Sequence, residues 1–569
     1  MTEPTNGEPT NGEPTSAPHD EHDGTPDVSS TQRIPSPDTQ AMPTSGAYSY
    51  PGRSTDQDAG QGAGQSTAQG ITASAAATGV ALSEDVSTHR SKRTGLMIGG
   101  LAAALVLGGG AIVASSVLSG GGARPADVLP GDSYAYVQLD IDPSAGQKIA
   151  AVRFLDKLPQ VKDNLGTGDL RKNLWDTIAK RDDCVGALSY DADIAPWLGD
   201  RVGLSLRPGG TKDVPNMAVA VQVKDEGSAK DALNTLLACD SDSSSDVRMR
   251  DGYAIITPGG QADATMAAID KSTLADSADF SGDMSALGEQ GIASAWFDGE
   301  PALKDMANLG GSSLGGQQLP TGVKGRVAMA LRFDPASIEL AGIARGVDGI
   351  KASSTNGDEL TSLPDDTVAA VQVSGADQLI DAAWPQLVGL ADEQAAKQGQ
   401  GDLIQRIEQQ LDITLPDDLK VLFGTSLTMA LPDQDFGGSV PTFGAKVVTS
   451  DVTRAKDLLT RIEDASGGQV MLNTKVDGNT LAVATTPDYA DTLVSGGSLG
   501  DTDGFKAALG DVSHTNVGVY VDLDRLEKLY INAVPSDQRA FVEALKALGL
   551  TSSSTADGEQ AFSMRLVGN

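Results

Sequence analysis

Histidine is scarce in this sequence, with four residues among 569. Three of them precede residue 94, so only His514 is left for the rest of the chain. A Ser-His-Asp triad would have to use His514, which stands just before an apolar, strand-like segment, where a polar residue needs no catalytic explanation. The histidine count therefore excludes a histidine-rich zinc site and argues against triad hydrolases.

Positive charge is also in short supply. Lys and Arg number 42 against 77 Asp and Glu, and the net charge is −35. Residues 1–94 hold twelve acidic and five basic residues, so −28 of that charge lies after residue 123. Such an acidic segment is repelled by nucleic-acid phosphates and anionic lipid headgroups, which argues against both as partners. The glycine-rich run at 310–316 lacks the lysine of a phosphate-binding loop.

Charge is wholly absent from Gly95–Leu118. At 1.5 Å of rise per residue, a helix of this length can cross a hydrocarbon core of about 30 Å. A cleaved signal peptide is the alternative, but its apolar core is shorter and normally lies near the N-terminus. We therefore predict a retained transmembrane helix. The basic cluster Arg90–Arg93 precedes it, which places residues 1–94 in the cytoplasm and the C-terminal domains outside the cell membrane.

Large apolar residues are few in residues 1–94, which open with the repeat Glu-Pro-Thr-Asn-Gly. Such a segment buries too little surface to offset its chain entropy, so we predict a disordered tail. Within the span, Gly95, Gly99 and Ala103 offer small residues at helical spacing. A homodimer through this face is an alternative that the sequence leaves open.

Cysteine occurs only twice, as Cys184 and Cys239. Their separation is not the Cys-x-x-Cys spacing of a redox site. Because both fall in the part predicted to lie outside the cytoplasm, we expect a disulfide between them. Two buried, unpaired thiols are the alternative.

The sequence after residue 124 contains two similar segments in tandem. Leu129–Asp132 precedes the strand-like Tyr134–Leu139, and Leu363–Asp366 precedes Val368–Val373 in the same way. Later landmarks recur in the same order, at offsets of 224 to 234: Leu198–Leu206 with Phe423–Leu431, Asp251-Gly252 with Asp477-Gly478, Phe280 with Phe505, Ala295–Asp298 with Val519–Asp522, and Val327–Phe333 with Ala561–Val567. A period this long indicates duplicated domains rather than a solenoid. We predict a first repeat over 124–352 and a second over 360–569.

Within each repeat, apolar strands alternate with amphipathic helices. The two Asp-Gly pairs predict hairpin turns, so part of each sheet is expected to be antiparallel. Helices are predicted at Ala376–Leu390, which Pro385 should kink or divide, at Leu403–Leu411 and at Arg454–Ile462. The predicted fold class is α+β: two tandem homologous domains of mainly antiparallel sheet with packed helices, after the tail and the membrane helix.

Carboxylates are abundant enough to suggest calcium binding or glycoside hydrolysis. Four local clusters stand out: Asp140–Asp142, Asp240–Asp242, Asp501–Gly504 and Asp522–Asp524. None completes a twelve-residue calcium loop, and the separation of two carboxylates in space cannot be read from sequence. We assign no catalytic, cofactor-binding or metal-ligating residue and no cofactor. The four tryptophans have apolar neighbours and are predicted to lie in the core.

The segment Asp193–Asp200, DIAPWLGD, together with Leu129–Asp132 and the strand after it, resembles a family of bacterial membrane proteins called domain of unknown function 3352. In the second repeat the motif is degraded, since Asp412-Ile413 is kept at a longer spacing and Phe423 stands where Trp197 or Leu198 would be expected. The resemblance implies an envelope protein found largely in actinobacteria. It supplies no activity and no catalytic residues.

These observations lead to a functional expectation. We expect an extracytoplasmic, membrane-anchored binding or scaffolding protein rather than an enzyme, with an envelope protein, a cell-wall polymer or a second copy as its partner. The alternatives are a carboxylate-dependent envelope hydrolase and a protein that couples an external event to the tail.

Overall fold

The computed structural model describes residues 123–158, 170–180, 183–211, 214–239, 244–308, 313–314, 317–318, 325–347, 357–397, 403–437, 441–467, 471–536, 538–555 and 558–569. All of them belong to one compact unit, His89–Asn569. None of the helices in these ranges combines the length and apolar character needed to cross a bilayer. The predicted tail and the predicted anchor Gly95–Leu118 lie outside the described residues.

One antiparallel sheet of sixteen strands runs through the described chain. Its strands are β1 (Ala135–Asp140), β2 (Leu198–Leu206), β3 (Met217–Val223), β4 (Ser245–Arg250), β5 (Tyr253–Pro258), β6 (Ala293–Asp298), β9 (Arg326–Phe333), β10 (Ser337–Arg345), β11 (Thr367–Ser374), β12 (Ser426–Pro432), β13 (Gly444–Val448), β14 (Asn473–Asp477), β15 (Thr480–Ala484), β16 (Val517–Asp522), β17 (Leu545–Ser554) and β18 (Gln560–Gly568). Two short strands, β7 (Ser313–Leu314) and β8 (Gln317–Gln318), pair separately. The α+β class with a large antiparallel sheet is confirmed.

The order of the strands is β14-β15-β13-β12-β11-β16-β17-β18-β10-β9-β6-β1-β2-β3-β5-β4. Counted from each edge of the sheet inward, the eight strands appear in the same order along the chain: fourth, fifth, third, second, first, sixth, seventh and eighth. We call β1–β6 with β9 and β10 the first half of the sheet, and β11–β18 the second half. The halves meet where β10 pairs with β18, from Ser337 opposite Val567 to Ala344 opposite Gln560.

Helices follow or separate the strands. They are α1 (Ala145–Leu155), α2 (Leu170–Ala179), α3 (Asp183–Gly186), α4 (Glu226–Leu237), α5 (Ala262–Lys271), α6 (Ala278–Leu287), α7 (Gly299–Asn308), α8 (Asp358–Thr361), α9 (Ala376–Lys397), α10 (Leu403–Leu411), α11 (Asp417–Phe423), α12 (Val452–Ala465), α13 (Pro487–Ser495), α14 (Asp503–Leu509), α15 (Leu523–Tyr530) and α16 (Arg539–Val542). The three predicted helices are confirmed. Pro385 lies inside α9 without dividing it.

Both predicted hairpins form, but their turns differ by one position. β4 and β5 are joined by Asp251-Gly252, both with positive φ (49° and 78°). In β14–β15, Asp477 is the last paired strand residue, and the loop is Gly478-Asn479 with φ of 55° at Gly478. Glycine suits both turns because it adopts positive φ at little steric cost.

The two faces of the sheet carry different cores. On one face, Tyr136, Phe280 and Trp296 centre a cluster in the first half, and Phe505 and Tyr520 centre one in the second. Helices α5 and α6 cover this face in the first half, and α13 and α14 cover it in the second. We call this helix-covered face the closed face.

On the opposite face, only part of the sheet is buried. In the first half, Trp175, Tyr190 and Trp197 pack over Val219 and Val221. Near the junction of the halves, α1 covers the sheet: its Phe154 belongs to a cluster with Phe333, Ile292 and Leu545. Lys157, just after α1, donates to the backbone oxygen of Gly568 at 3.0 Å, which ties the first half to the end of the second.

Candidate functional site

The second half leaves an apolar sheet face open, and this face is the candidate site. A single row of paired residues shows which face it is. Val371 lies opposite Met429 on one side and Val519 on the other. Followed strand by strand, the row passes through Leu550, Met564, Leu340, Leu331 and Ala293 to Leu139 and Val221. Since Leu139 and Val221 lie in the cluster under Trp197, both ends of the row are on the same face.

Corresponding rows in the two halves differ sharply in exposure. In the first half, Val219 and Ile256 are directly paired and are 2% and 4% exposed. The row at the same place in the second-half strands is Val371, Met429, Ala445 and Val483. Here Met429 is 48% exposed, and the adjacent Phe443 is 49% exposed. Val219 and Ile256 are buried in the first half, whereas Ala445 and Val483, at the same places in the second half, are only partly buried. Leu204, the counterpart of Met429, is partly buried and packs against the cluster around Trp197.

The open face forms a concave cavity of about 310 Å³, which we call the open groove. It is lined by side chains or backbone of Ala369, Ala370, Val371, Met429, Ala430, Leu431, Phe443, Gly444, Ala445, Leu472, Val483, Ala484, Val519, Tyr520 and Val521. The Tyr520 ring itself packs on the closed face, 5.4 Å from the Phe505 ring centre. The described walls of the groove thus present only apolar side chains.

The strands that form the groove are also paired along both of their edges. β11, β12, β13, β15 and β16 each pair with a strand on both sides. A peptide cannot add to the sheet here, because no strand edge is available within the groove. Binding to this surface must therefore rest on apolar contact.

Helices α9, α10 and α11, which lie between β11 and β12, and α12, which lies between β13 and β14, explain why the face stays open. α9 packs on α10 and α11, and α12 packs on α10 and α11. A bidentate pair fixes this group: Arg454 on α12 donates to both carboxylate oxygens of Asp418 on α11, at 2.8 and 2.6 Å. The helices therefore pack mainly on one another, and α9 meets the sheet only at β12 among its main contacts.

The segment just before the second strand of each half also differs in burial. Trp197 lies 3% exposed at the start of β2 and donates its indole N–H to the Asp193 carbonyl at 2.6 Å. Phe423, which aligns with Leu198 and lies just before β12, is 36% exposed. The degraded motif of the second repeat was a sequence signal for the open groove, which sequence reasoning missed.

A second, acidic cavity of about 240 Å³ lies near the start of α14 and α15. It brings together two clusters noted in the sequence, since Asp503 lines it with Asp522 and Asp524, beside Arg525 and Lys546. Asp522 also caps α15, because its Oδ1 accepts the Arg525 backbone N–H at 3.0 Å.

Tyr520 is the buried hydroxyl of this cavity. Burial, reinforced by the nearby Asp522, raises the pKa of Tyr520. The protonated hydroxyl donates to Asp522 Oδ2 at 3.4 Å.

The remaining sequence candidates have structural roles or lie outside the description. Asp140 pairs with Arg201 at 3.3 Å, and Asp142 pairs with Lys148. Burial raises the pKa of Asp140, although Arg201 opposes the shift. The cluster Asp240–Asp242 lies outside the described residues. No group of three potential metal-ligating side chains occurs among the residues described.

The structure also places His514, the cysteines and the tryptophans. His514 is exposed in the turn before β16. Cys184 on α3 is bonded to Cys239 just after α4, with a Cα–Cα distance of 5.7 Å, consistent with the predicted disulfide. Three tryptophans are buried as predicted, at positions 175, 197 and 296, whereas Trp384 on α9 is only half-buried.

Comparison with known proteins identifies a family for part of this chain. Residues 96–279 match the family described as "Protein of unknown function (DUF3352)". The match covers about a third of the chain, and it is this segment that is similar to the family. The DUF3352 match confirms the resemblance carried by Asp193–Asp200. It begins within the predicted anchor, ends inside α6, and does not reach the strands of the open groove. No curated protein and no solved structure matches the chain.

Proposed function

We propose that this chain is a single-pass envelope protein whose tail lies in the cytoplasm and whose folded part lies outside the membrane. The uncharged run Gly95–Leu118 and the basic cluster before it support this topology. The family match supports it further, because it includes most of the apolar run together with the first strands. A disulfide between Cys184 and Cys239 also fits an oxidising compartment.

The folded part is proposed to act as a non-enzymatic binding module. The observation that carries this proposal is the open groove, where Met429 and Phe443 are about half exposed on a sheet face that carries a buried aromatic cluster in the first half. Concave apolar surfaces with this contrast are typical of binding sites. An apolar lining suits an envelope protein or another apolar partner better than a cell-wall polysaccharide, which requires polar contacts.

The two halves are proposed to be duplicated domains. Strand order, identical from each edge inward, supports this independently of the sequence offsets. Helix caps agree: Asp225 caps α4 after β3, and Asp451 caps α12 after β13, each by accepting a backbone N–H three residues on. By strand order, β9 in the first half corresponds to β17 in the second half. The sequence match of Val327–Phe333 to Ala561–Val567, which belongs to β18, is therefore displaced by one strand.

A carboxylate-dependent hydrolase is a second candidate, favoured by one observation. The acidic cavity gathers Asp503, Asp522 and Asp524 from two separate sequence clusters. If this cavity is catalytic, Asp503→Asn should abolish hydrolysis of an envelope substrate without affecting folding. Asp522→Asn is a poorer test because Asp522 also caps α15.

The topology is tested with reporter fusions to the full chain. A periplasm- or surface-active reporter fused after Asn569 should be active, and the same reporter fused before residue 1 should be inactive. The reverse pattern would overturn the proposal. The binding role is tested by in-cell crosslinking of the anchored protein, in which Met429→Lys should remove a crosslinked product. Leu390→Lys, at an exposed apolar position on α9 outside the groove, is the matched control.

A further inference from the structure

The open groove has features of a site for a hydrocarbon chain. Its described walls are apolar side chains from five neighbouring strands, and each strand pairs with another on both sides, so the floor offers no strand edge to a peptide. A polar ligand would lose its hydration there without gaining hydrogen bonds. A saturated hydrocarbon chain has no hydrogen-bonded hydration to lose.

The size of the groove points the same way. A cavity of about 310 Å³ is at the small end of the range for small-molecule sites, about 300 to 1,000 Å³. Stable protein interfaces are much more extensive, since they bury about 1,200 Å² or more. Met429, with an unbranched and flexible side chain, suits a surface that adapts to a mobile chain.

The position of the predicted anchor indicates which apolar molecules lie near the groove. The apolar run ends at Leu118, and the described fold begins at Ala123. The five residue steps from Leu118 to Ala123 reach at most about 18 Å when fully extended. If the run spans the membrane, as the proposed function holds, the fold is tethered at the bilayer surface, where acyl chains are the most concentrated apolar molecules.

We infer that the open groove binds an acyl chain of a membrane lipid. The charge of −28 after residue 123 disfavours anionic headgroups, so the lipid is zwitterionic or neutral. This inference rests on the proposed function and assigns its ligand class.

The test uses the full chain in phosphatidylcholine nanodiscs that carry a phospholipid with a diazirine near the end of one acyl chain. After irradiation, mass spectrometry should find the lipid on peptides containing Met429 and Val519 as well as on Gly95–Leu118. Met429→Lys, which places a charge in the groove, should lower labelling of the Val519 peptide at least tenfold. Labelling of the anchor should not change, and Leu390→Lys should behave like the unsubstituted protein.

A second measurement separates failure of this inference from failure of the proposed function. Met429→Cys and Leu390→Cys variants are treated in intact cells with a maleimide that cannot cross membranes. Labelling at 390 with protection at 429 and acyl crosslinks in the groove supports the inference. The same protection without acyl crosslinks overturns the lipid assignment but keeps the binding role, with a protein or a second copy as the occupant. Free labelling at 429 overturns both, and no labelling at 390 overturns the topology.

Discussion

Among the described residues, one deeply buried carboxylate with ionic partners lies near the junction of the halves. Asp283 on α6, 1% exposed, accepts the Trp296 indole N–H at 2.9 Å. It also accepts from Arg326 at 2.8 Å and from Arg345 at 3.0 Å. Arg345 in turn donates to Glu559 of the second half at 2.6 Å. A buried charge of this kind is costly to leave unbalanced, so these groups depend on one another.

Asp283→Asn should therefore destabilise the protein by roughly 2 to 3 kcal/mol, less than for a fully buried pair because both arginines remain partly exposed. Urea unfolding followed by tryptophan fluorescence measures the change. Asp279→Asn removes an exposed partner of the same Arg326 and should cost less than about 1 kcal/mol. Equal losses for the two variants would contradict this account.

The second residue-scale prediction concerns pH. The hydrogen bonds from Arg454, with help from the Thr414 backbone N–H, hold the pKa of Asp418 below its usual range. An unfolded aspartate titrates near 3.9. A lowered folded-state pKa means that the stabilisation is present above pH about 4 and is lost as the pH falls through the folded-state value.

The stability difference between the unsubstituted protein and Asp418→Asn should thus be constant from pH 7 to 5 and shrink below pH 4. Urea midpoints measured at several pH values test this. Asp417→Asn, at the exposed neighbour, should differ little from the unsubstituted protein throughout. A difference for Asp418→Asn that persists unchanged at pH 3 would refute the pairing.

At the scale of elements, the disulfide joins two of the helices that cover the first half. It links Cys184 on α3 to the residue two positions after α4, across a separation of 55 residues. Loop-closure entropy for a ring of this size corresponds to about 4 kcal/mol. Replacing both cysteines by serine should lower the unfolding free energy by about that amount. Reductant should destabilise the unsubstituted protein and leave the double variant unaffected; a reductant-insensitive protein would show that the bond does not form.

Elements also decide where the candidate site lies. α9 to α12 form a group held by Asp418 and Arg454, whereas the corresponding segments of the first half pack Trp175, Tyr190 and Trp197 onto the sheet. Burial of large aromatic side chains on the sheet stabilises the closed arrangement there. The second-half helices lack an equivalent set among the described residues, so their apolar strands stay open.

At the scale of the whole molecule, the pairing of β10 with β18 makes one sheet from two halves. A side chain at Gly342 on β10 would overlap the ring of Phe562 on β18 and crowd the Ala328 carbonyl. This glycine therefore permits close approach of the strands at the junction.

The intact protein should unfold in one step, whether it is followed by tryptophan fluorescence, which reports mainly on the first half, or by hydrogen exchange in the second-half strands. Gly342→Val should separate these two transitions. Gly389→Ala, at an open position on α9, should leave them coincident and stabilise the helix by up to about 1 kcal/mol. Separate transitions in the unsubstituted protein would show that the halves are not coupled through this junction.

Local sequence pattern is enough to place many of the elements. Alternation of apolar residues locates β1 and β11, Asp-Gly pairs locate two hairpins, and helical periodicity locates α10 within its observed bounds. The candidate site is harder to predict, because the strands of the groove are as apolar as those of the first half and therefore read as core. Only the degraded motif, in which Phe423 stands where Trp197 or Leu198 is expected, indicates that the cover is incomplete.

The sequence alone thus determined the α+β class, the antiparallel hairpins and the two cysteines available for bonding, because each depends on residues close in the chain or on simple composition. Tertiary structure decided that β10 and β18 join the halves and that one apolar face remains open in the second. These outcomes depend on whether distant helices and strands fit one another in shape and charge. The hydrophobic periodicity of either partner alone does not predict that fit.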